Sequence, residues 1–183
     1  RVLSFNHFLL GPMGTQVLAD LGADVICIEP VGGAFQRHWG GANHRVDGES
    51  MLHLAGNRNK KSLAVDVKSP EGHKIIEKLL VTADVLSENF RPGVMDKLGF
   101  GYEAVQNINP RIIYAAASGF GQDGPYQQYP AHDINFLSLA GVLNVIGQPE
   151  QPPAIPLNIV ADYAGASLHG VMGILTALLA RQH

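Results

Sequence analysis

Residues 2–29 read VLSFNHFLLGPMGTQVLADLGADVICIE, and their pattern indicates the fold class of the chain. An apolar run at residues 2–5 predicts a short strand, and a second apolar run at residues 23–29 predicts another. Between them, a glycine-proline pair opens a helical pattern that continues through residues 15–22. A strand, helix, strand unit of this kind is expected to be parallel and right-handed.

The alternation of strands and helices continues along the chain. KSLAVDV (61–67), DVLSENF (84–90) and RIIYAAAS (111–118) predict further strands, separated by polar loops and helical patterns. Ser69 and Pro70 are typical of an N-cap and a first-turn proline, so we expect a helix directly after them. The pattern as a whole predicts an α/β fold with a parallel sheet.

The last third of the chain contains two predicted helices. We expect one from Asp133 to Ile146, capped by Asp133, and a second from Tyr163 to Ala180 that Asp162 could cap. A proline-rich connector, QPEQPPAIP, separates them. The final apolar stretch is marginal in length for a bilayer span and contains three glycines, so we interpret it as a buried helix.

Composition narrows the function classes. The 183 residues are 46% hydrophobic and 16% charged, which is typical of a soluble globular domain. The net charge of -3 predicts neither a nucleic-acid partner nor a membrane surface. The single cysteine, Cys27, lies in an apolar run and is expected to be an inert thiol. No secretion signal is recognisable, so we expect a cytoplasmic protein, or a mitochondrial or peroxisomal one in a eukaryote.

The sequence does not favour a dinucleotide site, a metal site or a serine nucleophile. The first turn offers only Gly11 and Gly14, and Pro12 removes a backbone donor, so a dinucleotide site with Glu29 on the ribose is not favoured. The eight histidines show no paired metal-binding spacing, and we predict no metal. The sequence SGFG lacks the order of a serine nucleophile elbow.

Cationic side chains lie in the loops between the α/β elements. The simplest interpretation of any one of these side chains is that it lies on the solvated surface. Together they would suit a phosphorylated ligand, because loops at the carboxyl ends of parallel strands line the binding crevice of open α/β sheets. The residues are Arg37, Arg58, Lys60, Lys61, Lys68 and Arg91.

His132 and Asp162 each stand next to a predicted helix start. Either residue alone is more often structural, as a cap, than catalytic. If both converged on one site, they would form an acid/base pair able to remove a proton from one face of a substrate carbon and return one to the other.

Four stretches of the chain carry a family resemblance. They are LGPMGTQVLADLGADVICIE (10–29), NRNKKSLAVDVKSPEG (57–72), ADVLSENFRPGVMDKLGFGYE (83–103) and NPRIIYAAASGFGQDGPY (109–126). The chain resembles the family III CoA transferases, which include formyl- and carnitine-CoA transferases and the α-methylacyl-CoA racemases. The resemblance implies a Rossmann-like large domain that binds CoA, with residues 1–183 as its N-terminal part, and an interlaced homodimer. By the same resemblance, the small domain and a C-terminal return segment lie outside the chain, in keeping with a final helix that lacks a stop signal.

The two branches of this family differ in their chemistry. Racemases carry GHDINY and a second segment similar to PLNLVGDFGG, and this chain has AHDINF (131–136) and PLNIVADYAG (156–165). That resemblance implies that His132 and Asp162 are an acid/base pair acting on 2-methylacyl-CoA thioesters. In the transferases the residue at Asp162 is a nucleophile that forms an acyl anhydride, and ENFRPG (88–93) resembles that branch, so a CoA transferase is the alternative.

The resemblance also implies the residues that contact CoA. The acyl-CoA is the substrate, and no separate cofactor is required. The expected contacts are Leu9, Leu10, Arg37, Val65, Asp66, Val67, Lys68, Asn89, Phe90, Arg91, Lys97, Ala131, Asp133, Ile134, Asn135 and Phe136.

Overall fold

The computed structural model describes residues 1–39 and 44–182 of the chain. Residues 40–43, part of a predicted polar loop, and residue 183 lie outside the described part. The strands are β1 (Val2–Phe5), β2 (Val25–Glu29), β3 (Arg45–Val46), β4 (Glu49–Ser50), β5 (Lys61–Ala64), β6 (Val85–Glu88) and β7 (Ile113–Ala116).

Most strands of the chain are separated from the next by an α-helix. They are α1 (Leu10–Asp20), α2 (Phe35–His38), α3 (Met51–Asn57), α4 (Pro70–Leu80), α5 (Val94–Lys97), α6 (Tyr102–Ile108), α7 (Asp133–Leu139) and α8 (Leu168–Ala180). A 3₁₀ turn (Val142–Val145) follows α7, and a π-helical segment (Ile159–Ser167) runs directly into α8. We call the continuous helix Ile159–Ala180 the terminal helix.

The main sheet has the strand order β5-β2-β1-β6-β7, and each neighbouring pair is parallel. The chain moves from β1 outward through β2 to β5, and then returns to place β6 on the other side of β1. The order therefore reverses between β1 and β6. In open α/β sheets, ligands bind at the carboxyl ends of the strands at such a point. The predicted α/β fold with a parallel sheet is confirmed.

Side chains alternate between two apolar cores, one on each face of the sheet. Leu3 and Leu86 belong to a cluster that includes Phe100. Their neighbours Val2 and Val85 belong to a second cluster that includes Leu18 of α1 and Val171 and Ile174 of α8. This period of two along each strand is the pleat of a β-strand, and it buries both faces of the sheet.

The start of α4 follows the sequence prediction closely. The hydroxyl of Ser69 accepts a hydrogen bond from the backbone N–H of Gly72 at 3.0 Å, and Pro70 occupies the first helical turn. Ser69 thus satisfies one of the backbone donors that a helix N-terminus leaves unpaired. The predicted cap is confirmed.

The predicted helix from Asp133 to Ile146 is too long. The helix α7 ends at Leu139, and Gly141 adopts the left-handed conformation with φ of 74° before the 3₁₀ turn. A glycine takes this conformation without the steric cost of a side chain, so it is a common place for a helix to end.

The terminal helix is less buried than the sequence suggests. Val171 and Ile174 pack against the sheet, but Leu168, Met172, Leu175 and Leu179 are exposed. By length and composition alone, the helix is apolar enough to cross a membrane, and core helices of soluble proteins share these two properties. In the described residues the predicted burial therefore holds for only one face of the helix. Composition does not reveal which face of an apolar helix meets the rest of the chain.

Candidate active site

A cavity of about 800 Å³ opens where the strand order reverses. The loops after β1, β6 and β7 form part of its wall, and the starts of α7 and the terminal helix complete it. It therefore occupies the position expected for a ligand site in this fold. The predicted site residues that line it are Leu9, Leu10, Asn89, Phe90, Arg91, Ala131, His132, Asp133, Ile134, Phe136 and Asp162.

The other predicted contacts lie outside the cavity wall. They are Arg37, Val65, Asp66, Val67, Lys68, Lys97 and Asn135. Val65 is buried in the core, and Asp66 accepts a hydrogen bond from the backbone N–H of Lys68 in the turn before α4. Lys97 is the last residue of α5. CoA binding by these residues stays a prediction.

Glu29 and Arg37 form a partly buried ion pair. The guanidinium of Arg37 contacts the carboxylate of Glu29 at 2.6 Å, and Glu49 lies 3.2 Å away. Burial opposes ionisation of Glu29, but hydrogen bonds from Arg37 and the backbone N–H of Ala34 lower its pKa to about 2. Glu29 therefore binds a neighbouring side chain, which agrees with the weak support for a ribose site.

His132 occupies the N-cap position of α7 and is exposed at the cavity. The backbone N–H of His132 donates to Oδ1 of Asn135 at 2.9 Å, so Asn135 supports the start of the helix. The ring of Phe8 lies edge-on to the imidazole, with centroids 5.8 Å apart. The prediction that Asp133 is the N-cap is wrong by one residue, because Asp133 already has helical geometry.

Asp133 instead joins the starts of two helices. Its Oδ2 accepts hydrogen bonds from the backbone N–H groups of Ala161 and Asp162, at 2.7 Å and 2.8 Å. Asp133 is 3% exposed. Because His132 is the preceding residue and Asp162 supplies one of the donors, this contact brings both candidate catalytic residues to the same cavity.

Asp162 lies in the first turn of the terminal helix and is half-buried. It is not a capping residue for a helix starting at Tyr163, because the helix begins before it, at Ile159. Burial raises the pKa of Asp162, the nearby carboxylate of Asp133 raises it further, and His132 partly offsets both effects. The protonated form of Asp162 is therefore favoured more than in an ordinary aspartate.

Two bulky residues of the cavity wall have left-handed backbones. Phe8 has φ of 59° and Leu157 has φ of 58°. Such values are uncommon for large side chains, and strained residues of this kind concentrate at functional sites. Neither residue was predicted as part of the site, since nothing in the local sequence marks a left-handed phenylalanine or leucine.

His7 is a further cavity residue, and it was not predicted from the sequence. Its ring packs against Phe90 with centroids 4.9 Å apart, and burial lowers the pKa of His7 below its ordinary value. The neutral imidazole is therefore favoured. The signal in the sequence that could have indicated His7 is its position in the loop after the first strand. Loops at the carboxyl ends of parallel strands line the ligand crevice of such sheets.

Asn89 fixes the loop after β6 to the loop after β1. Its Oδ1 accepts from the backbone N–H of His7 at 2.8 Å, and its Nδ2 donates to the carbonyl of His7 at 2.9 Å. Beside it, the Glu88 carboxylate accepts from the backbone N–H of Phe90 at 2.8 Å, and burial raises the pKa of Glu88 to about 7. These contacts extend the β1 and β6 pairing into the cavity wall.

The predicted cationic cluster is dispersed. Arg58 pairs with Asp20, and Lys61 pairs with Asp24. Of the described residues that line the cavity, only Arg91 is a lysine or an arginine, and it is exposed. A phosphorylated ligand at the cavity would therefore meet Arg91 first.

Lys60 is half-buried, and its ammonium is hydrogen-bonded to oxygen atoms of the protein. Its ammonium lies 2.7 Å from the carbonyl oxygens of Pro12 and Gly56, and 3.0 Å from Oδ1 of Asn57. Burial lowers the pKa of Lys60 to about 8. All three donors have acceptors, so Lys60 joins α1 to α3 and is not available to a ligand.

We expect Lys60→Met to lower the free energy of unfolding by about 3 kcal/mol, because two buried carbonyls lose their donor. Urea denaturation measures the change. The matched control is Lys61→Met, which removes only an exposed ion pair and should have a much smaller effect. Equal losses for the two variants would contradict this role of Lys60.

Comparisons with known proteins extend these observations. The chain matches the family model of CoA-transferase family III over residues 1–183. It is 42% identical to acetyl-CoA:oxalate CoA-transferase of Acetobacter aceti, covering 99% of this chain and 46% of that protein. It is also 42% identical to human alpha-methylacyl-CoA racemase, covering 98% of this chain and 43% of that protein.

A solved structure shows the same fold. The crystal structure of a CAIB/BAIF family protein from Brucella suis superposes with a TM-score of 0.90 at 35% identity, covering 99% of this chain and 48% of that one. The chain spans about half the length of the relatives it matches. The relatives include both racemases and CoA-transferases, and on the family match over its full length this chain belongs to CoA-transferase family III.

Proposed function

We propose that the protein is an acyl-CoA racemase that interconverts (2R)- and (2S)-2-methylacyl-CoA thioesters by moving the α-proton. The observation that carries the proposal is the shared cavity of His132 and Asp162, whose helix starts are joined through Asp133. A histidine and an aspartate with a raised pKa form a pair in which one group accepts a proton while the other donates one.

The chemistry needs only proton transfer. The thioester carbonyl acidifies the α-proton, and one of the two residues removes it as a base. The electron pair of the C–H bond then moves onto the thioester oxygen to give an enolate. Backbone N–H groups at the start of α7 favour negative charge there. The other residue protonates the opposite face of the α-carbon, which inverts its configuration without any redox change.

The cavity wall suits an acyl group. Phe8 packs with Phe35 and Trp39 at centroid distances of 5.2 Å and 5.4 Å, so an aromatic surface adjoins His132. CoA would supply the handle for binding, with Arg91 near its phosphates. The acyl-CoA is both substrate and carrier in this proposal, and the reaction needs no separate cofactor.

Deuterium exchange tests the proposal. The protein expressed from its complete reading frame, incubated with (2R)-2-methylacyl-CoA in deuterium oxide, should incorporate deuterium at the α-carbon and form the (2S) enantiomer. Pivaloyl-CoA is the control, because it has no α-hydrogen. If the methylacyl-CoA keeps its α-hydrogen and its configuration, the protein is not a racemase of these substrates.

A CoA transferase is the second candidate. Asp162 faces the cavity, and its carboxylate could attack the thioester carbonyl, expel the CoA thiolate and leave an acyl anhydride. The identity to the Acetobacter transferase favours this alternative as strongly as the human racemase favours the first. Hydroxylamine that attacks the Asp162 carbonyl of this anhydride would release the acyl group as its carboxylic acid and leave a hydroxamate on Asp162, which mass spectrometry detects.

The larger assembly belongs to the same proposal. We take the chain as the N-terminal part of a CoA-binding large domain in an interlaced homodimer, in a protein of the cytoplasm or, in a eukaryote, of mitochondria or peroxisomes. The relatives' greater length supports a larger protein around this domain.

A further inference from the structure

The buried carboxylate of Asp133 links the residue next to His132 to the backbone of Asp162. It is 3% exposed, and Oδ2 accepts both backbone hydrogen bonds from Ala161 and Asp162. Its Oδ1 is buried without a hydrogen-bond partner among the described residues. A buried carboxylate with one unpaired oxygen is costly, so the contact to the terminal helix must offset that cost.

We propose that Asp133 is a positioning residue: its carboxylate anchors the first turn of the terminal helix and so fixes the carboxyl of Asp162 in the cavity that His132 shares. The inference rests on the proposed function for its catalytic consequence. The anchoring itself depends only on the contact across 28 residues of chain.

The geometry explains why this anchor matters. The first turn of the terminal helix has π-type hydrogen bonding, and its backbone N–H groups lack the regular partners of an α-helix. Asp133 supplies an acceptor for two of them. At the other side, the hydroxyl of Ser167 lies 2.6 Å from the carbonyl oxygen of Leu10 and 2.9 Å from that of Asp162. Asp162 is thus held between two anchors.

Asp133 also sets the charge around Asp162. The titratable groups facing Asp162 from α7 are Asp133 and His132, and both affect its ionisation. The helix α1 carries no titratable side chain before Asp20. His7 and Arg91 line the same cavity from neighbouring loops, and on α8 the ring of His169 lies against the carbonyl of Ala164. Asp133 is therefore the carboxylate whose negative charge raises the pKa of Asp162.

Two substitutions separate position from charge. Asp133→Asn keeps an oxygen that can accept both backbone N–H groups but removes the negative charge. Asp133→Ala removes the anchor as well. We expect Asp133→Ala to lower kcat on the order of 100-fold with little change in KM, because misplacement of a catalytic group affects the chemical step. Asp133→Asn should lose less. Asp123→Asn, in the exposed loop before α7, is the matched control.

Carbon-13 NMR of the Asp162 carboxyl gives a readout independent of turnover. In the protein expressed from its complete reading frame, with the signal assigned by Asp162→Asn, the titration of Asp162 should move to lower pH in Asp133→Asn. The reason is that a repelling carboxylate has become neutral. If the Asp133 carboxylate did not act on Asp162, the titration would be unchanged in a variant that keeps the fold.

The outcomes distinguish the two levels of the proposal. A shifted titration in Asp133→Asn, together with a larger loss of kcat in Asp133→Ala, supports the positioning role. Equal kcat of Asp133→Ala and wild type, or of Asp133→Ala and Asp133→Asn, overturns the positioning role, and an unchanged titration overturns the charge effect of Asp133 on Asp162. If the wild-type protein catalyses neither exchange nor CoA transfer, the proposed function fails, and the NMR titration still tests whether the Asp133 carboxylate acts on Asp162.

Discussion

Asp162→Asn is expected to lower interconversion of the 2-methylacyl-CoA enantiomers by about 10³-fold, since removing a general acid or base costs on this order. Asparagine keeps the size of the side chain but can neither accept nor return the α-proton. Asp162 is half-buried in the first turn of a helix that Asp133 and Ser167 hold in place, so the substitution should leave the fold intact.

Chiral chromatography of the CoA esters measures this loss. The same substitution should also stop formation of a hydroxamate if the protein is a transferase, because the nucleophile is then absent. Asp123→Asn replaces an exposed aspartate of the loop before α7 and should keep wild-type activity. Interconversion above a tenth of the wild-type rate in Asp162→Asn would exclude Asp162 as one of the two groups.

His132→Ala is expected to lower interconversion to a similar extent, about 10³-fold, but to leave transfer chemistry at Asp162 intact. The imidazole is exposed at the cavity, and Asn135 supports the helix start, so the loss of the ring should affect stability little. The two enzyme classes therefore separate at this residue: a racemase needs His132, and a transferase that uses only the Asp162 carboxylate does not.

The matched control is His169→Ala, an exposed histidine on the terminal helix outside the cavity wall. Circular dichroism and thermal unfolding of both variants check that the fold is kept. A His132→Ala variant that interconverts the enantiomers at the wild-type rate would contradict the proposed racemase. Full retention of hydroxamate formation in the same variant would then favour the transferase.

Local patterns predict the parts of the structure that local interactions determine. The run of apolar residues at 2–5 gives β1, and Ser69 caps α4, because both depend on residues close in sequence. The position of His132 and Asp162 at helix starts was also visible in the sequence. Their shared cavity was not, since it depends on Asp133 contacting backbone atoms 28 residues away.

The parts that failed depend on contacts between distant segments. Lys60 was grouped with cations for a phosphorylated ligand, but the carbonyls of Pro12 and Gly56 take its ammonium. No pattern around Lys60 reveals those acceptors. Phe8 similarly gains its place beside His132 from the path of the backbone after β1, where its φ of 59° turns the chain toward the cavity.

In the proposed mechanism, His132 and Asp162 are two bases that act on opposite faces of one carbon. Deuterium exchange measured separately with each enantiomer, in His132→Ala and in Asp162→Asn, tests this directly. In deuterium oxide, each variant should exchange the α-hydrogen of one enantiomer without inverting it, because one base remains on one face. The enantiomer that exchanges with His132→Ala should be the opposite of the one that exchanges with Asp162→Asn. Equal exchange of both enantiomers, or of the same enantiomer in both variants, would contradict the two-base account.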